Sequence, residues 1–143
     1  MSTLPDGYTL TDDQSEIDAV AAHAYLTTSY WSPGIPLDTV QRAIANSFCL
    51  AIKHSAQQVA FARLVTDFAV FAYLADVYVL EAHRGEGLGQ AILRFYHDHP
   101  RLQGLRRWTL FTVDAHGVYE KAGWTRLAHP ERAMERHFPD VYA

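Results

Sequence analysis

Three glycines, Gly85, Gly87 and Gly89, separate an apolar segment from an amphipathic one and constrain the fold more than any other feature of the sequence. The apolar segment, residues 71–79, is rich in aromatic and β-branched side chains, which favours a β-strand. The amphipathic segment, residues 88–98, repeats apolar side chains at helical spacing. The sequence therefore predicts a strand, a glycine loop and a helix in direct succession.

This loop is suited to bind an anion. The first turn of a helix carries unpaired backbone N–H groups and the positive end of the helix dipole. Glycines have no side chain that would hold a phosphate away from that backbone, and a pyrophosphate fits such a site well. Arg84 can add charge-assisted hydrogen bonds to the phosphate oxygens. The alternative is structural, with the glycines serving only to pack the helix closely against the strand.

The glycine spacing excludes two common nucleotide-binding folds. The dinucleotide-binding fingerprint needs G-x-G-x-x-G, whereas this loop reads G-E-G-L-G. A Walker A loop ends in Gly-Lys followed by Ser or Thr, and that ending does not occur here. Neither fold fits this chain.

Composition limits the class of protein. The chain has 143 residues, of which 49% are hydrophobic and 20% charged, so we expect one domain covering residues 1–143 with a core of its own. Its net charge of −4 argues against a nucleic-acid partner, since such domains usually carry a basic field. No targeting signal or membrane span is recognisable, so a cytoplasmic protein is expected. The 8 histidines are dispersed and there is 1 cysteine, so we expect no metal site.

The remaining segments favour an α+β fold. Helical spacing alternates with short apolar or β-branched runs, and the middle runs are joined by turns too short for crossover helices. The predicted elements are a strand at 8–10, helices at about 11–29 and 37–47, strands at 48–52, 59–65 and 71–79, a helix at 88–98, a strand at 108–113, a helix at 116–122 capped by Asp114, and two last short strands at 124–126 and 133–135. This order, βααβββαβαβ(β), describes a mixed, mostly antiparallel central sheet flanked by helices.

Residues 78–89 resemble motif A of the GNAT superfamily, the acetyl-CoA-dependent N-acetyltransferases. That motif is written [QR]-x-x-G-x-[GA], and Arg84, Gly87 and Gly89 stand at its fixed positions. Residues 118–124, which read VYEKAGW, resemble the family's L-Y-E-K-x-G-F segment. The element order is also that of the family, so the resemblance covers essentially the whole chain and implies a GNAT-like fold.

The resemblance implies an enzyme that transfers an acetyl group from acetyl-CoA to a primary amine by direct attack in a ternary complex. A small-molecule acceptor is expected more than a protein one. GNAT domains are often dimers, so the resemblance is compatible with a homodimer. By resemblance, the residues that would hold acetyl-CoA lie in motif A and after the fifth strand: Val77, Tyr78, Val79, Arg84, Gly85, Glu86, Gly87, Leu88, Gly89, Gln90, Asp114 and His116.

Two catalytic residues are expected from the same resemblance. Tyr119 matches the tyrosine that GNAT enzymes commonly use to protonate the departing thiolate; the alternative is that it only packs on its short helix. Asp76 is the only acid in the middle of an apolar strand, where a carboxylate is costly to bury without a partner. It is either the base that faces the acceptor amine or a carboxylate that bonds a neighbouring loop.

The acceptor pocket is expected around the loop that begins at Tyr30 and Trp31. This aromatic pair could hold an amine by cation–π contact, or it could simply pack in the core. Arg63, within a predicted strand, either binds a substrate carboxylate or pairs with Asp67 or Asp76.

A second class of function is a GNAT-like module that binds or senses acyl-CoA without turnover. Glu86 favours this class, because the family often has Lys, Arg or Gln at this loop position and a carboxylate beside a pyrophosphate is unfavourable. The presence of Tyr119 favours the enzyme.

Overall fold

The computed structural model describes residues 4–143, and its centre is a five-stranded mixed sheet. The strands are β1 (Tyr8–Thr11), β2 (Phe48–His54), β3 (Gln57–Thr66), β4 (Phe71–Val79) and β5 (Arg107–Leu110). They lie side by side in chain order. Strands β1 to β4 are antiparallel to their neighbours, whereas β5 runs parallel to β4 and therefore needs a crossover connection.

Four α-helices lie in residues 4–143 and cover both faces of the sheet. They are α1 (Ala19–Leu26), α2 (Leu37–Ala45), α3 (Leu88–Asp98) and α4 (His116–Lys121). Helix α3 is the crossover helix, and it buries Leu88, Ile92 and Tyr96 against one face. Helices α1 and α2 pack Leu26 and Val40 on the other face. None of the helices in this part of the chain is long and apolar enough to cross a membrane.

Strand β3 contributes to both layers of the core. Ala60, Ala62 and Leu64 pack in the α3 layer, while Phe61 packs with α1 and α2. Successive side chains of a strand point to opposite faces, so a strand covered on both sides is apolar at consecutive positions, as β3 is over residues 59–62. All of these side chains are fully buried, which makes β3 the middle of the core.

The predicted α+β class is confirmed, but α1 is shorter than expected. It begins at Ala19 because the Asp18 carboxylate accepts a hydrogen bond from the Ala21 N–H and so caps the helix. The earlier start signal at Asp13 caps a separate 3₁₀ turn, Gln14–Glu16. Two caps in succession therefore divide the expected helix into a turn and a helix.

The chain after α3 departs further from the sequence prediction. Strand β5 ends at Leu110 rather than at residue 113, because the pairing with β4 stops there. Asp114 does not cap α4. The N–H of Ala115 donates instead to Thr112 Oγ1 at 3.0 Å, which holds the turn before the helix.

The two last strands, expected at 124–126 and 133–135, are not formed within the described residues 4–143. A strand needs a paired neighbour, and a cavity of about 570 Å³ lies between β5 and residues 125–129. A 3₁₀ turn, Pro130–Arg132, then leads the chain onward without returning to the sheet. We call residues 133–142 the C-terminal tail.

His97, on α3, holds the segment after α4. Its Nε2 accepts a hydrogen bond of 3.0 Å from the indole N–H of Trp124, and its ring meets Trp108 edge-on with 5.4 Å between centroids. This bond requires an unprotonated Nε2, so the neutral ring is the form that fits. Burial lowers the pKa of His97 and outweighs the opposite effect of the Asp98 carboxylate.

We expect acidification to destabilise the protein through His97. The ordinary pKa of a histidine side chain, 6.5, applies to the unfolded chain, and the pKa of His97 in the folded protein is lower. Between these two pKa values the unfolded chain binds more protons than the folded one. The corresponding stability is present above the unfolded pKa and is lost as the pH falls through the folded pKa. Its slope is at most about 1.4 kcal/mol per pH unit.

Chemical denaturation between about pH 5 and pH 8 measures this slope. His97→Gln should flatten the dependence of the free energy of unfolding on pH. His137→Gln, at an exposed histidine, is the matched control and should keep it. Equal slopes in the wild type and His97→Gln would contradict the prediction.

Candidate active site

Strands β4 and β5 separate part-way along their length. They are paired from Phe71 and Arg107 to Leu74 and Leu110, and their ladder extends no further within residues 4–143. Strand β4 continues to Val79, so its last residues face an open cleft of about 730 Å³. The N–H and C=O groups along an unpaired strand edge can hydrogen-bond an extended ligand.

The glycine loop lies at one end of this cleft. Gly85 and Gly87 have φ angles of +83° and +79°, the left-handed region that glycine adopts without strain. The backbone at Gly89 is not in the left-handed region. At each of the three, an added Cβ would meet no atom within 4 Å, so close helix–strand packing is wrong as an explanation of the glycines. They leave an open backbone surface instead.

Helix α3 begins directly after the loop. Its first backbone hydrogen bond runs from the Ala91 N–H to the Gly87 carbonyl at 3.1 Å, which leaves the N–H groups of the first turn for a ligand. Arg84 is held beside them, because its Nε donates to the Val79 carbonyl at 3.0 Å and its Nη2 donates to the Tyr25 hydroxyl at 3.4 Å. We call the resulting cavity of about 610 Å³ the glycine cradle. It is lined by Val79, His83, Arg84, Gly85, Gly87, Leu88, Gly89, Gln90 and Arg94.

Asp76 stands at a bulge in β4. The pairing of β3 with β4 shifts between Phe61 and Arg63, and Asp76 has a φ angle of +54°. A residue other than glycine in this conformation costs roughly 1–3 kcal/mol and persists only where its surroundings hold it. The bulge reverses the alternation of side chains along β4, so that Asp76 lines the cleft while Val77 packs in the α3 layer.

Two donors hold the Asp76 carboxylate. Arg63 Nε donates to Oδ2 at 2.7 Å, and Trp31 Nε1 donates to Oδ1 at 2.9 Å. The side chains of Arg63 and Asp76 are only 19% and 12% exposed, so the pair is largely shielded from water. Arg63 therefore pairs with Asp76 and not with Asp67, whose carboxylate accepts backbone N–H groups in the β3–β4 turn.

Tyr119 lies on α4 and lines the cleft opposite β4. Its ring meets Trp124 edge-on with 5.8 Å between centroids, and it is half-buried. Burial raises the pKa of Tyr119, and the nearby Tyr30 hydroxyl adds to this effect. The phenol therefore keeps its proton at neutral pH, as a proton donor must.

A third cavity, of about 880 Å³, lies between α1, α2 and the C-terminal tail, and we call it the tail cavity. Trp31, Asp76 and Phe111 line both the tail cavity and the cleft. Val79 and Arg84 line both the cleft and the glycine cradle. The cradle and the cleft therefore adjoin, as do the cleft and the tail cavity, and we call the three together the groove.

Comparison with known proteins identifies the family. A family model described as an acetyltransferase (GNAT) domain matches residues 45–126. The chain belongs to the GNAT acetyltransferase family. A protein of Gibberella zeae that is named as a candidate acetyltransferase is 30% identical over 127 residues, which cover 74% of this chain and 71% of that protein.

Solved structures share the GNAT fold of this chain. The crystal structure of a candidate GNAT-family acetyltransferase from Xanthomonas campestris pv. campestris matches with a TM-score of 0.94 and 43% identity over 99% of both chains, a span that includes the C-terminal tail. A candidate acetyltransferase from Clostridium acetobutylicum, solved with acetyl-CoA, matches in fold with a TM-score of 0.67 and 17% identity over 91% of this chain and 94% of that one. The GNAT-like fold predicted from the sequence is confirmed.

The GNAT fold brings most of the predicted site residues to this groove. The predicted residues that line it are Tyr30, Trp31, Arg63, Asp76, Val77, Tyr78, Val79, Arg84, Gly85, Gly87, Leu88, Gly89, Gln90, Asp114 and Tyr119. Glu86 and His116 do not line it. Glu86 is exposed to solvent, and His116 is the first residue of α4.

The structure adds residues to the GNAT groove that sequence reasoning missed. These are Tyr25, Tyr73, His83, Arg94, Phe111 and the tail residues Glu135, Arg136, His137 and Phe138. Tyr25 stacks on Tyr78 with 4.1 Å between ring centroids and also contacts Arg84. It lies on α1, far along the chain from motif A, so no local pattern could have indicated this role.

We expect Arg63 and Asp76 to be energetically coupled in the folded protein. Removing one partner leaves the other largely buried without its counter-charge, which costs about 1–4 kcal/mol. Asp76→Asn is suitable because Asn tolerates the left-handed backbone, and Arg63→Met keeps an apolar stem of similar length.

Each single variant should lower the free energy of unfolding by about that amount, and the double variant by clearly less than the sum. Chemical denaturation of the wild type and the three variants measures the coupling. Strictly additive losses would show that the 2.7 Å contact contributes no interaction energy.

Proposed function

We propose that the protein transfers an acetyl group from acetyl-CoA to a primary amine of a small molecule by direct attack in a ternary complex. The observation that carries the proposal is the succession of adjoining cavities, with the glycine cradle at one end, Tyr119 in the cleft and Asp76 beside the tail cavity. The reaction needs, in this order, an anion site, a strand edge for the extended arm of acetyl-CoA, a proton donor and an acceptor pocket.

The glycine cradle fits the pyrophosphate of acetyl-CoA. Its backbone N–H groups at the start of α3 and the fixed Arg84 guanidinium are donors that suit phosphate oxygens. The open space at Gly89 would be filled by any side chain at that position. When bound, acetyl-CoA supplies the acetyl group on a thioester whose thiol then leaves. The edge of β4 beyond its pairing with β5, around Val77, would hold the extended arm.

Asp76 is the residue we assign to the acceptor amine. An amine attacks only in its neutral form, so its ammonium must first lose a proton. Arg63 and Trp31 fix the direction of the Asp76 carboxylate, and each oxygen keeps a further lone pair for a hydrogen bond from the amine. Asp76 takes up the proton directly or passes it to water in the cleft.

Tyr119 is the residue we assign to the departing sulfur. Its raised pKa keeps the hydroxyl protonated, and the departing thiolate, whose thiol has a pKa of about 8.5, benefits from a proton donor as it leaves. Cys49 does not offer another route, since it is fully buried and burial raises the pKa of its thiol to about 12. This supports direct transfer without an acylated cysteine.

The C-terminal tail supports a small acceptor. Glu135 and Phe138 line the tail cavity, and Tyr142 packs against the α1–α2 layer. The Tyr142 carbonyl lies 3.3 Å from the position of a Cβ at Gly34, so the tail is seated closely on this loop. A cavity of about 880 Å³ that the tail borders in this way is of the size that small-molecule sites have, which supports a small acceptor.

The alternative function, a module that binds acyl-CoA without turnover, depends on Glu86. This carboxylate is exposed and does not line the glycine cradle, so it does not oppose a bound pyrophosphate. The position of Tyr119 in the cleft further supports the enzyme.

Gly89→Asp should weaken acetyl-CoA binding without unfolding the protein. Position 89 has an ordinary helical backbone and open space, and an acidic residue in the first turn favours a helix. The new carboxylate would stand where the pyrophosphate binds, and we expect about a tenfold or greater rise in the Kd for acetyl-CoA.

Gly117→Asp makes the same change in the first turn of α4, also with no atom within 4 Å, and should leave the Kd unchanged. Isothermal calorimetry measures the Kd for acetyl-CoA of both variants. Unchanged binding in Gly89→Asp would remove the cradle from the cofactor site.

The experiment that tests the function is thiol release from acetyl-CoA with a panel of small primary amines. Tyr119→Phe should lower kcat by about 10²-fold or more with little change in acetyl-CoA affinity, because only the proton donor is lost. Glu120→Gln, at the exposed neighbouring position of α4, is the control and should keep the wild-type rate. If acetyl-CoA binds but no amine releases thiol above hydrolysis, the proposed function is wrong.

A further inference from the structure

The place of Asp76 decides where the rest of an acceptor molecule lies. Asp76 lines both the cleft and the tail cavity, whereas Tyr119, which is assigned to the departing sulfur, lines the cleft and not the tail cavity. An amine at Asp76 that faces the sulfur must therefore carry the rest of its molecule toward the tail cavity. The surface of the tail cavity thus indicates the chemical class of the acceptor.

Large apolar side chains are exposed around the tail cavity. Tyr30, Phe111 and Phe138 are 61%, 78% and 58% exposed, and Trp31 and Val141 are exposed as well. All five line the tail cavity. Single exposed apolar residues are ordinary on a protein surface, but a group of them around one cavity that also holds a charged side chain is typical of a ligand site.

Two pairs of aromatic rings lie where the tail cavity adjoins the cleft. Tyr30 and Trp31 meet edge to face with 5.0 Å between ring centroids, and Tyr73 and Phe111 do so at 5.9 Å. All four side chains line both cavities, as Asp76 does. The indole of Trp31 also donates to the Asp76 carboxylate, so aromatic surface and negative charge stand side by side. A ring on a ligand can stack on such side chains or meet them edge-on.

Helix α2 continues the apolar wall. Val40, Ala43 and Ile44 recur at helical spacing and line the tail cavity. Gln41 and Arg42 are exposed and do not line it. Ala43 is partly exposed and has the smallest side chain of the three, so a larger side chain at this position would take up room in the cavity.

The charged groups of the tail cavity do not favour a second charge on the acceptor. Arg63 and Asp76 are paired at 2.7 Å, so an acceptor carboxylate would compete with Asp76 for the guanidinium. Glu135, Arg136 and His137 line the cavity from the tail and are exposed. Glu135 and Arg136 carry opposite charges, and exposed ion pairs contribute little to binding. Burial of apolar surface is therefore the main interaction that this cavity offers.

We propose, resting on the proposed function, that the acceptor is a primary amine carried on an apolar ring and that this ring binds among the aromatic side chains of the tail cavity. The amine meets the Asp76 carboxylate, whose direction Arg63 and Trp31 fix. The ring covers the exposed surface of Trp31 and Phe111. Amino acids, amino sugars and polyamines lack such a combination of one amine and one uncharged apolar group, so they are poor acceptors.

The first test is thiol release by the wild type with amines that differ only in what the amine carries. 2-Phenylethylamine should have the highest kcat/KM, about tenfold or more above ethanolamine, which replaces the ring by a hydroxyl, and above L-phenylalanine, which adds a carboxylate. Glucosamine and spermidine should also rank below it. A higher kcat/KM for any of the four polar amines would overturn the proposal, although their acetylation would still support the proposed function.

The second test reduces the room in the tail cavity. Ala43→Leu should lower kcat/KM for 2-phenylethylamine about tenfold and change that for ethanolamine, and the Kd for acetyl-CoA, less than about twofold. Ala45→Leu makes the same change at an exposed position of α2 that does not line the cavity, and it should behave as the wild type. An unchanged kcat/KM for 2-phenylethylamine in Ala43→Leu, or an equal loss for both amines, would overturn the proposal.

Binding without turnover separates this proposal from the proposed function. Isothermal calorimetry with CoA in place of acetyl-CoA measures the Kd for 2-phenylethylamine, which Ala43→Leu should raise about tenfold and Ala45→Leu should leave unchanged. An amine that binds in this way but is never acetylated would support the ring site and contradict the function. Acetylation of a polar amine without binding of 2-phenylethylamine would do the reverse, and the absence of both binding and turnover would overturn both.

Discussion

Strands β4 and β5 are hydrogen-bonded only as far as Leu74 and Leu110, and the groove exists because they separate there. A parallel pair that stayed in register would close the sheet and leave no strand edge for a ligand. The core stays closed behind the separation, since α3 packs Leu88 and Ile92 against the sheet on that side. The same helix presents its N-terminal turn beside the open edge of β4, so the anion site and the cleft are parts of one arrangement.

The bulge at Asp76 gives the cleft its charged wall. An extra residue in β4 costs backbone strain, and the strain is offset by hydrogen bonds from Arg63 on β3 and from Trp31 in the loop after α1. Side chains from two other segments, β3 and the loop after α1, therefore hold this carboxylate in a fixed direction. A group held in this way loses little freedom when it meets a ligand, which is a condition for an effective site.

Much of the fold, and much of the groove around the glycine cradle, could be predicted from the sequence. The left-handed positions Gly85 and Gly87, the apolar stripe of α3 and the short turns of the meander are properties of neighbouring residues, and local spacing reports them. The part of the groove around Asp76 and the tail cavity could be predicted only in part. Trp31 was expected there, but its bond to Asp76 and the contribution of the C-terminal tail join segments that no local pattern relates.

The sequence by itself determined the order of the elements from β1 to α4, the glycine loop and most of the groups that line the cradle, although not His83 and Arg94. The tertiary structure decided which face of β4 carries Asp76, because a bulge reverses the alternation that strand spacing predicts. It also decided that Arg63 pairs with Asp76, and that residues 124–126 and 133–135 form no strand. A strand is completed by its neighbour and an ion pair by its counter-charge, and both partners are brought together only when distant segments pack.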